Sequence, residues 1–113
     1  MSDLLDLTIV RLSPQAAVVV ATGEIDLSNR DELANLLEQL GWARWIAVDL
    51  RQCSFFDCSA LRVLNRSART MRREGRTLTV TAGGNGRRLI ELAGLPHLLG
   101  PAIAAAQPIG FAA

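Results

Sequence analysis

The residue types best suited to chemistry lie together at residues 55–61, Phe-Phe-Asp-Cys-Ser-Ala-Leu. Asp57, Cys58 and Ser59 place an acid, a thiol and a hydroxyl at the predicted start of an amphipathic helix. Unpaired backbone N–H groups and the helix dipole favour negative charge at such a terminus. The segment is therefore suited to a phosphorylated side chain, a reactive thiolate or a plain helix cap, and the residue types alone leave these three roles open.

Other candidates for catalysis or metal binding are few. The single histidine, His97, has no catalytic partner residues that the sequence indicates, and acid–base catalysis needs a neighbouring group that orients the imidazole. Two cysteines, Cys53 and Cys58, are too few for a disulfide scaffold, and the sequence around them does not supply the further ligands that a zinc site requires. Paired carboxylates, a P-loop and a Ser–His–Asp order are also missing from the sequence. We therefore expect neither a metal nor a cofactor.

The composition describes a compact protein of ordinary charge. The chain has 113 residues, half of them apolar and a fifth charged, which favours a single globular domain. A net charge of +1 gives no indication of direct nucleic-acid binding. The apolar run at residues 16–21 is too short to insert into a membrane, and acids replace the basic start of a signal peptide. We therefore expect a cytoplasmic protein.

Hydrophobic periodicity predicts the elements that must position the Asp-Cys-Ser segment. The order is β-β-α-β-α-β-α, which is typical of a layered α/β domain with a mixed sheet. The continuously apolar second strand is predicted to be central and covered on both faces. The predicted strands are residues 5–12, 16–22, 45–50 and 77–81, and the predicted helices run from Ser28 or Asn29 to Gly41, from about 58 to 74, and from 87 to 93 after a loop at 82–86.

The second predicted helix carries two different stripes. The first is apolar and predicts the core face, whereas the second consists of arginines at helical spacing. A solvated face is the usual meaning of such a charge run. A surface that docks acidic groups is the alternative, because guanidinium groups bind carboxylates bidentately. The apolar stripe is Leu61, Leu64, Ala68 and Met71, and the basic stripe is Arg62, Arg66, Arg69 and Arg73.

Four motifs in this order resemble the STAS domain family, most closely the bacterial anti-sigma-factor antagonists. They are Gly-Glu-Ile-Asp at 23–26, Ala-Val-Asp-Leu at 47–50, the segment 55–61, and Leu-Ala-Gly-Leu at 92–95. The resemblance implies one STAS domain over 1–113. Its core would span about 5–99, with a mixed sheet of four to five strands and helices on one side. The tail, 100–113, could form a short helix.

The resemblance also implies a function. Such a module has no enzymatic activity of its own and binds an anti-sigma factor that is a GHKL-type serine kinase, which releases the sigma factor. A homodimer is compatible with it. The residues expected to contact the partner or to form the phosphoswitch are Asp26, Ser28, Asn29, Phe55, Asp57, Cys58, Ser59, Arg62 and Arg66.

The departure from the family pattern lies at the switch. The usual Asp-Ser-Ser/Thr-Gly has its first hydroxyl phosphorylated, and here Cys58 stands at that position, Ser59 at the second hydroxyl and Ala60 at the glycine. Three outcomes follow, and we favour them in this order: the phosphoswitch is lost; Ser59 is the acceptor; or Cys58 is a redox sensor. A helix N-terminus makes a thiol more reactive, although the like charge of Asp57 opposes this.

Each of these residues also has a purely structural interpretation. Asp57 can be the helix N-cap, Ser59 can satisfy a free backbone N–H, and Cys58 can be a small helix-opening residue. Cys53 is expected to pack in the core, and a Cys53–Cys58 disulfide is conceivable across the loop. Of the two adjacent phenylalanines, one should face the core and the other, Phe55, could anchor a partner.

Two other functions stay open beside the leading one. An accessory STAS subunit of a membrane transporter, such as a lipid-transport ABC complex, would need no phosphorylation, so the altered motif favours it. A nucleotide-binding protein or enzyme has little support, because the glycine-rich loop at 83–86 lacks the Lys and Ser/Thr of a P-loop.

Overall fold

Four strands and three helices alternate along the chain in the predicted order. The structure is a computed structural model, and it describes residues 5–100. The tail predicted as a short helix lies outside the described residues from 101 onward. The elements are β1 Leu5–Ser13, β2 Ala16–Ile25, α1 Arg30–Gln39, β3 Trp45–Phe56, α2 Cys58–Arg73, β4 Thr77–Thr81, α3 Gly84–Leu92 and a 3₁₀ turn at Pro96–Leu98.

The strands form one mixed sheet in the order β1-β2-β3-β4. β1 pairs antiparallel with β2, to which a tight turn through Pro14 and Gln15 connects it. β2, β3 and β4 are parallel, since α1 and α2 provide the long crossovers that parallel neighbours require. The predicted mixed sheet is confirmed, with four strands.

The main core lies between one face of the sheet and the three helices. It takes alternate residues of β2 and β3, such as Val19 and Val48, together with Leu33, Leu64 and Ile90 from the three helices. The opposite face of the sheet carries a smaller apolar cluster of Val18, Val20 and Ala47. Residues 17–21 of β2 are therefore all buried, as expected of a central strand.

Three element boundaries differ from the sequence predictions. β2 continues to Ile25 instead of ending at residue 22. β3 continues to Phe56 instead of ending near Leu50, because its polar second half pairs through the backbone with residues 22–25 of β2. The register shifts twice along that stretch, so the side-chain alternation that marks a strand is lost. α3 begins at Gly84 instead of Arg87, so three of the five residues of the predicted 82–86 loop are helical. Tertiary packing of this turn overrides the poor helix propensity of glycine.

α2 is the longest described helix, with 16 residues. None of the helices within residues 5–100 has the length and apolar character needed to cross a bilayer.

Candidate functional site

Two loops meet at the carboxyl ends of β2 and β3, where ligands commonly bind in open α/β sheets. Residues 26–29 connect β2 to α1, and Asp57 connects β3 to α2. The last residues of the two strands, Ile25 and Phe56, are paired, and the backbone N–H of Asp57 donates to the carbonyl oxygen of Ile25 at 3.3 Å. The β2–α1 and β3–α2 loops are thus held side by side.

Asp57 is the N-cap of α2, one of the roles considered from the sequence. Its Oδ1 accepts hydrogen bonds from the backbone N–H of Ser59 at 2.9 Å and of Ala60 at 3.3 Å. The Ser59 hydroxyl also donates to this oxygen, at 2.5 Å. The carboxylate therefore satisfies two free N–H groups of the first turn and holds the Ser59 side chain in place.

The neighbouring loop repeats this arrangement. Asp26 Oδ1 accepts from the backbone N–H of Ser28 at 2.9 Å and from its hydroxyl at 2.5 Å. The Ser28 hydroxyl, followed by the Ser28 backbone N–H, holds the pKa of Asp26 below its usual range. Two Asp-x-Ser turns of the same geometry therefore lie on adjacent loops.

Asn29 fixes the position of the β2–α1 loop from inside. Its side chain is buried and accepts from the backbone N–H of Asp26 at 2.9 Å, while its Nδ2 donates to the carbonyl oxygen of Glu24 at 2.9 Å. Asn29 is the N-cap residue of α1 by position, yet its side chain does not bond to that helix. Its buried position makes it a support of the loop, whereas the sequence analysis had placed it among the partner-contacting residues.

The two cysteines occupy different environments and are both free. Cys58 is exposed at the first position of α2. Cys53 is half-buried against the main core, as predicted, with its thiol 3.6 Å from the carbonyl oxygen of Ala21. Burial, with a smaller contribution from the charge of Asp49, raises the pKa of Cys53 to about 11. The conceivable Cys53–Cys58 disulfide is not formed.

Two large apolar side chains are exposed at this end of the sheet. Phe55 is 51% exposed while Phe56 is only 7% exposed, so one phenylalanine faces outward and the other faces the core, as predicted. Leu27, in the β2–α1 loop, is 67% exposed. The sequence analysis missed Leu27, although an isolated leucine between Asp26 and Ser28 in a turn was a readable signal.

Arg62 and Arg66 extend away from the paired loops along α2. Both are exposed and neither has an ion-pair partner among residues 5–100. They line a groove between α1 and α2 of about 780 Å³. Seven of the nine predicted site residues therefore lie in the two loops, at the end of β3 or in the first turn of α2, and these two arginines belong to an adjoining surface.

Metal chemistry finds no support in the described part of the chain. Residues 5–100 contain no group of three His, Cys, Asp or Glu side chains that could hold an ion. The arrangement of carboxylates, hydroxyls and exposed apolar side chains is suited to recognition of another molecule's surface.

Comparison with known proteins decides the family. The family model described as Mlab, STAS domain matches residues 9–100. The chain belongs to the STAS domain family. No curated protein matches this STAS chain.

Solved structures share the fold of this STAS domain. The anti-sigma factor antagonist SpoIIAA in its unphosphorylated form is similar with a TM-score of 0.71 and 16% identity, over 89% of this chain and 91% of that one. An anti-sigma factor antagonist from Mycobacterium paratuberculosis gives a TM-score of 0.81 and 21% identity, over 96% of both chains. The murine Slc26a9 anion transporter gives a TM-score of 0.62 and 12% identity, over 91% of this chain and 19% of the transporter chain. These likenesses confirm the STAS fold.

Proposed function

We propose that this STAS domain is a non-enzymatic regulatory module of the cytoplasm, an anti-sigma-factor antagonist that binds a GHKL-type anti-sigma serine kinase and so releases a sigma factor. The whole chain, 1–113, would form the one domain. The observation that carries the proposal is the paired-loop surface, in which Leu27 on the β2–α1 loop and Phe55 near the end of β3 are exposed, while Asp57 and Asn29 fix the backbone of the two loops. The fold shared with anti-sigma factor antagonists supports it.

The paired loops have the properties of a preorganised binding surface. Exposed large apolar side chains are the usual anchors of protein interfaces, and they gain most when a partner removes them from water. The aspartate–serine bonds and the buried Asn29 fix both loops before binding, which lowers the entropy lost on association. The surface is thus suited to binding a partner without rearrangement.

Regulation at this surface would differ from the usual phosphoswitch. Cys58 occupies the exposed position at which a serine kinase would find its hydroxyl, and a thiol is not its normal substrate. The Ser59 hydroxyl is half-buried and bonded to Asp57. A phosphate there would add about −1.5 to −2 charges against that carboxylate and disturb the cap. We therefore propose a binder without a phosphoswitch, controlled by its abundance.

Affinity isolation from the native organism tests the binding role. Two variants, each with one exposed apolar side chain replaced by serine, are compared with the wild type. The wild-type chain should recover a histidine-kinase-like anti-sigma factor, and Phe55→Ser should lose it because the anchor is removed. Leu92→Ser is the control, since Leu92 is 78% exposed at the end of α3 and away from the paired loops. Recovery of an ATPase–permease complex instead of the kinase would contradict the proposal.

Phosphorylation is tested with the cognate kinase and ATP, followed by mass spectrometry. Wild-type protein should stay unmodified, whereas Cys58→Ser should gain one phosphate because it restores a hydroxyl at the exposed first position of α2. Ser59→Ala in the Cys58→Ser background serves as control and should still be modified. A phosphate on Ser59 of the wild-type chain would establish the second outcome and contradict loss of the switch.

A second candidate is an accessory STAS subunit of a membrane transporter. The specific observation in its favour is Cys58 at the switch position, since such a subunit needs no phosphorylation. The same fold also occurs within the chain of an anion transporter, Slc26a9. The affinity isolation described above separates the two candidates.

A further inference from the structure

Five arginines on α2 lack an acidic partner within residues 5–100. They include two like-charged pairs at i,i+4 spacing, Arg62 with Arg66 and Arg69 with Arg73. Like-charged pairs at this spacing oppose helix stability, whereas only Arg72 and Arg73, in the last turn, are favoured by the helix dipole. All five side chains are exposed, and the set, named here the arginine ridge, is Arg62, Arg66, Arg69, Arg72 and Arg73.

Two arginines elsewhere in the fold have several defined partners. Arg51 forms a bidentate bond to buried Asp49, at 3.0 and 2.8 Å. Arg76 bonds to Glu74 at 2.7 Å and to the carbonyl oxygens of Leu40 and Ala43. The arginine ridge therefore differs from the arginines that hold the fold together, and it gathers five unpaired guanidinium groups on one helix.

A groove lies beside the arginine ridge. The groove, of about 780 Å³, runs between α1 and α2 over a partly apolar floor, and its two walls differ in net charge. A second hollow, of about 370 Å³, is lined by four of the ridge arginines. The α2 wall carries Arg62 and Arg66, with Glu74 and Arg76 at its end, whereas the α1 wall carries Asp31 and Glu38 with one arginine, Arg30; the apolar part consists of Ala34, Leu37, Val63 and Met71.

We propose that the α1–α2 groove binds an acidic amphipathic helix of a protein partner. Carboxylates spaced at i and i+4 on that helix would meet Arg62 and Arg66 on the groove wall, where charge-assisted bidentate bonds form, and a third at i+7 would approach Arg69 just outside the groove. The apolar stripe of the helix would cover the groove floor. This inference deepens the proposed function, in which Arg62 and Arg66 contact the partner, but it uses a surface other than the paired loops.

The charge of the opposite wall favours a protein helix over a polyanion. A lipid bilayer or a nucleic acid presents negative charge across its whole surface, so it would also face Asp31 and Glu38. A helix can carry acids on one flank and a neutral or basic flank on the other, which matches both walls. The groove is therefore complementary to a discrete helix.

A designed helical peptide provides the probe. One flank carries glutamates at i, i+4 and i+7, the next carries leucine and alanine, and the matched control peptide has lysines in place of the glutamates. Fluorescence anisotropy should show binding of the glutamate peptide only, weakened by added salt. Amide shifts in NMR spectra should change along α1 and α2 and stay unchanged in the paired loops.

Two double variants with the same charge change locate the contact. Arg62→Ala/Arg66→Ala should weaken peptide binding at least about tenfold, because two charge-assisted bonds are lost. Arg44→Ala/Arg88→Ala removes two exposed, unpaired arginines elsewhere and should leave the affinity unchanged. Far-UV circular dichroism of both variants verifies folding.

Three results would overturn the inference: no binding of the glutamate peptide, equal weakening by both double variants, or tighter binding of phosphatidylglycerol vesicles or duplex DNA than of the peptide. The Phe55→Ser variant separates this inference from the proposed function. It should bind the peptide normally even though its paired-loop contact is lost, so failure of one proposal does not imply failure of the other.

Discussion

At the scale of single residues, the site depends on two aspartates whose carboxylates are committed to the protein itself. Asp26 and Asp57 each bind the N–H and the hydroxyl of the serine two positions later. Neither acid is therefore a free base in a catalytic sense, because its oxygen already accepts bonds that shape a turn. Their role is to fix the backbone on which Leu27 and Phe55 are exposed.

The Asp26 turn makes a direct prediction about acidity. Removing the hydroxyl in Ser28→Ala should raise the pKa of Asp26 towards its ordinary value, since the Ser28 side chain is the largest cause of the lowering. A carboxyl group whose pKa is lowered in the folded state stabilises the fold at pH values above its ordinary pKa. This contribution is lost as the pH falls through the lowered pKa. Carboxyl NMR titration measures this shift. Ser28→Thr, which keeps the hydroxyl, is the control, and an unchanged pKa in Ser28→Ala would contradict the assignment.

The cysteines should differ strongly in reactivity. With a pKa raised to about 11, Cys53 is a thiolate in about one molecule in ten thousand at neutral pH, and it is half-buried. Exposed Cys58 should therefore react first with iodoacetamide, as peptide mass spectrometry would show. Cys58→Ser should label very slowly in the folded state and normally in denaturant. Equal labelling of both cysteines in the native protein would refute this prediction.

At the scale of elements, the type and order of every strand and helix could be predicted from the sequence, because apolar periodicity reports which face meets the core. The second half of β3 could not, since residues 51–54 pair through backbone groups while most of their side chains remain outside the core. The start of α3 was missed for a related reason. Its glycines predict a loop, whereas in the structure Gly86 lies in the first turn of the helix, against the Phe56 ring.

Gly86 shows how tightly α3 packs beside the paired loops. A Cβ at this position would lie 2.8 Å from Phe56 Cε2, and the Phe56 ring is itself buried. Because the ring is buried, we expect overpacking in Gly86→Ala to cost about 2–3 kcal/mol, and the preference of alanine for a helix to offset roughly 1 kcal/mol, so the net destabilisation should be about 1–2 kcal/mol. Urea denaturation measures the net effect.

Gly41→Ala is the matched control, because nothing lies within 4 Å of a Cβ at Gly41. Its free energy of unfolding should stay within about 0.5 kcal/mol of the wild type. A Gly86→Ala protein as stable as the wild type or more stable would mean that Phe56 has room to move, and that α3 does not constrain the end of β3.

At the scale of the whole molecule, the two proposed binding surfaces lie on different parts of the fold. The carboxyl ends of β2 and β3 present the paired loops, while the helical layer carries the arginine ridge and its groove. The sequence identified the Asp-Cys-Ser segment and both stripes of α2, because these are local patterns. It could not show that residues 26–29 lie beside Asp57, or that α1 and α2 leave a groove, since these depend on contacts between distant parts of the chain.

Both surfaces depend on one core, so its loss should affect them together. Leu64 of α2 is fully buried in the main core, whereas Leu92 of α3 is 78% exposed. Leu64→Ala should lower the free energy of unfolding by about 2–5 kcal/mol, a large part of the roughly 5–15 kcal/mol expected of such a domain. Leu92→Ala should change it by less than about 0.5 kcal/mol.

Urea curves followed by circular dichroism and by the fluorescence of Trp42 and Trp45 should coincide for each variant, since the helices and the sheet share this core. Similar midpoints for the two leucine variants, or separate transitions for the two probes, would show that the helical layer and the sheet do not unfold as one unit.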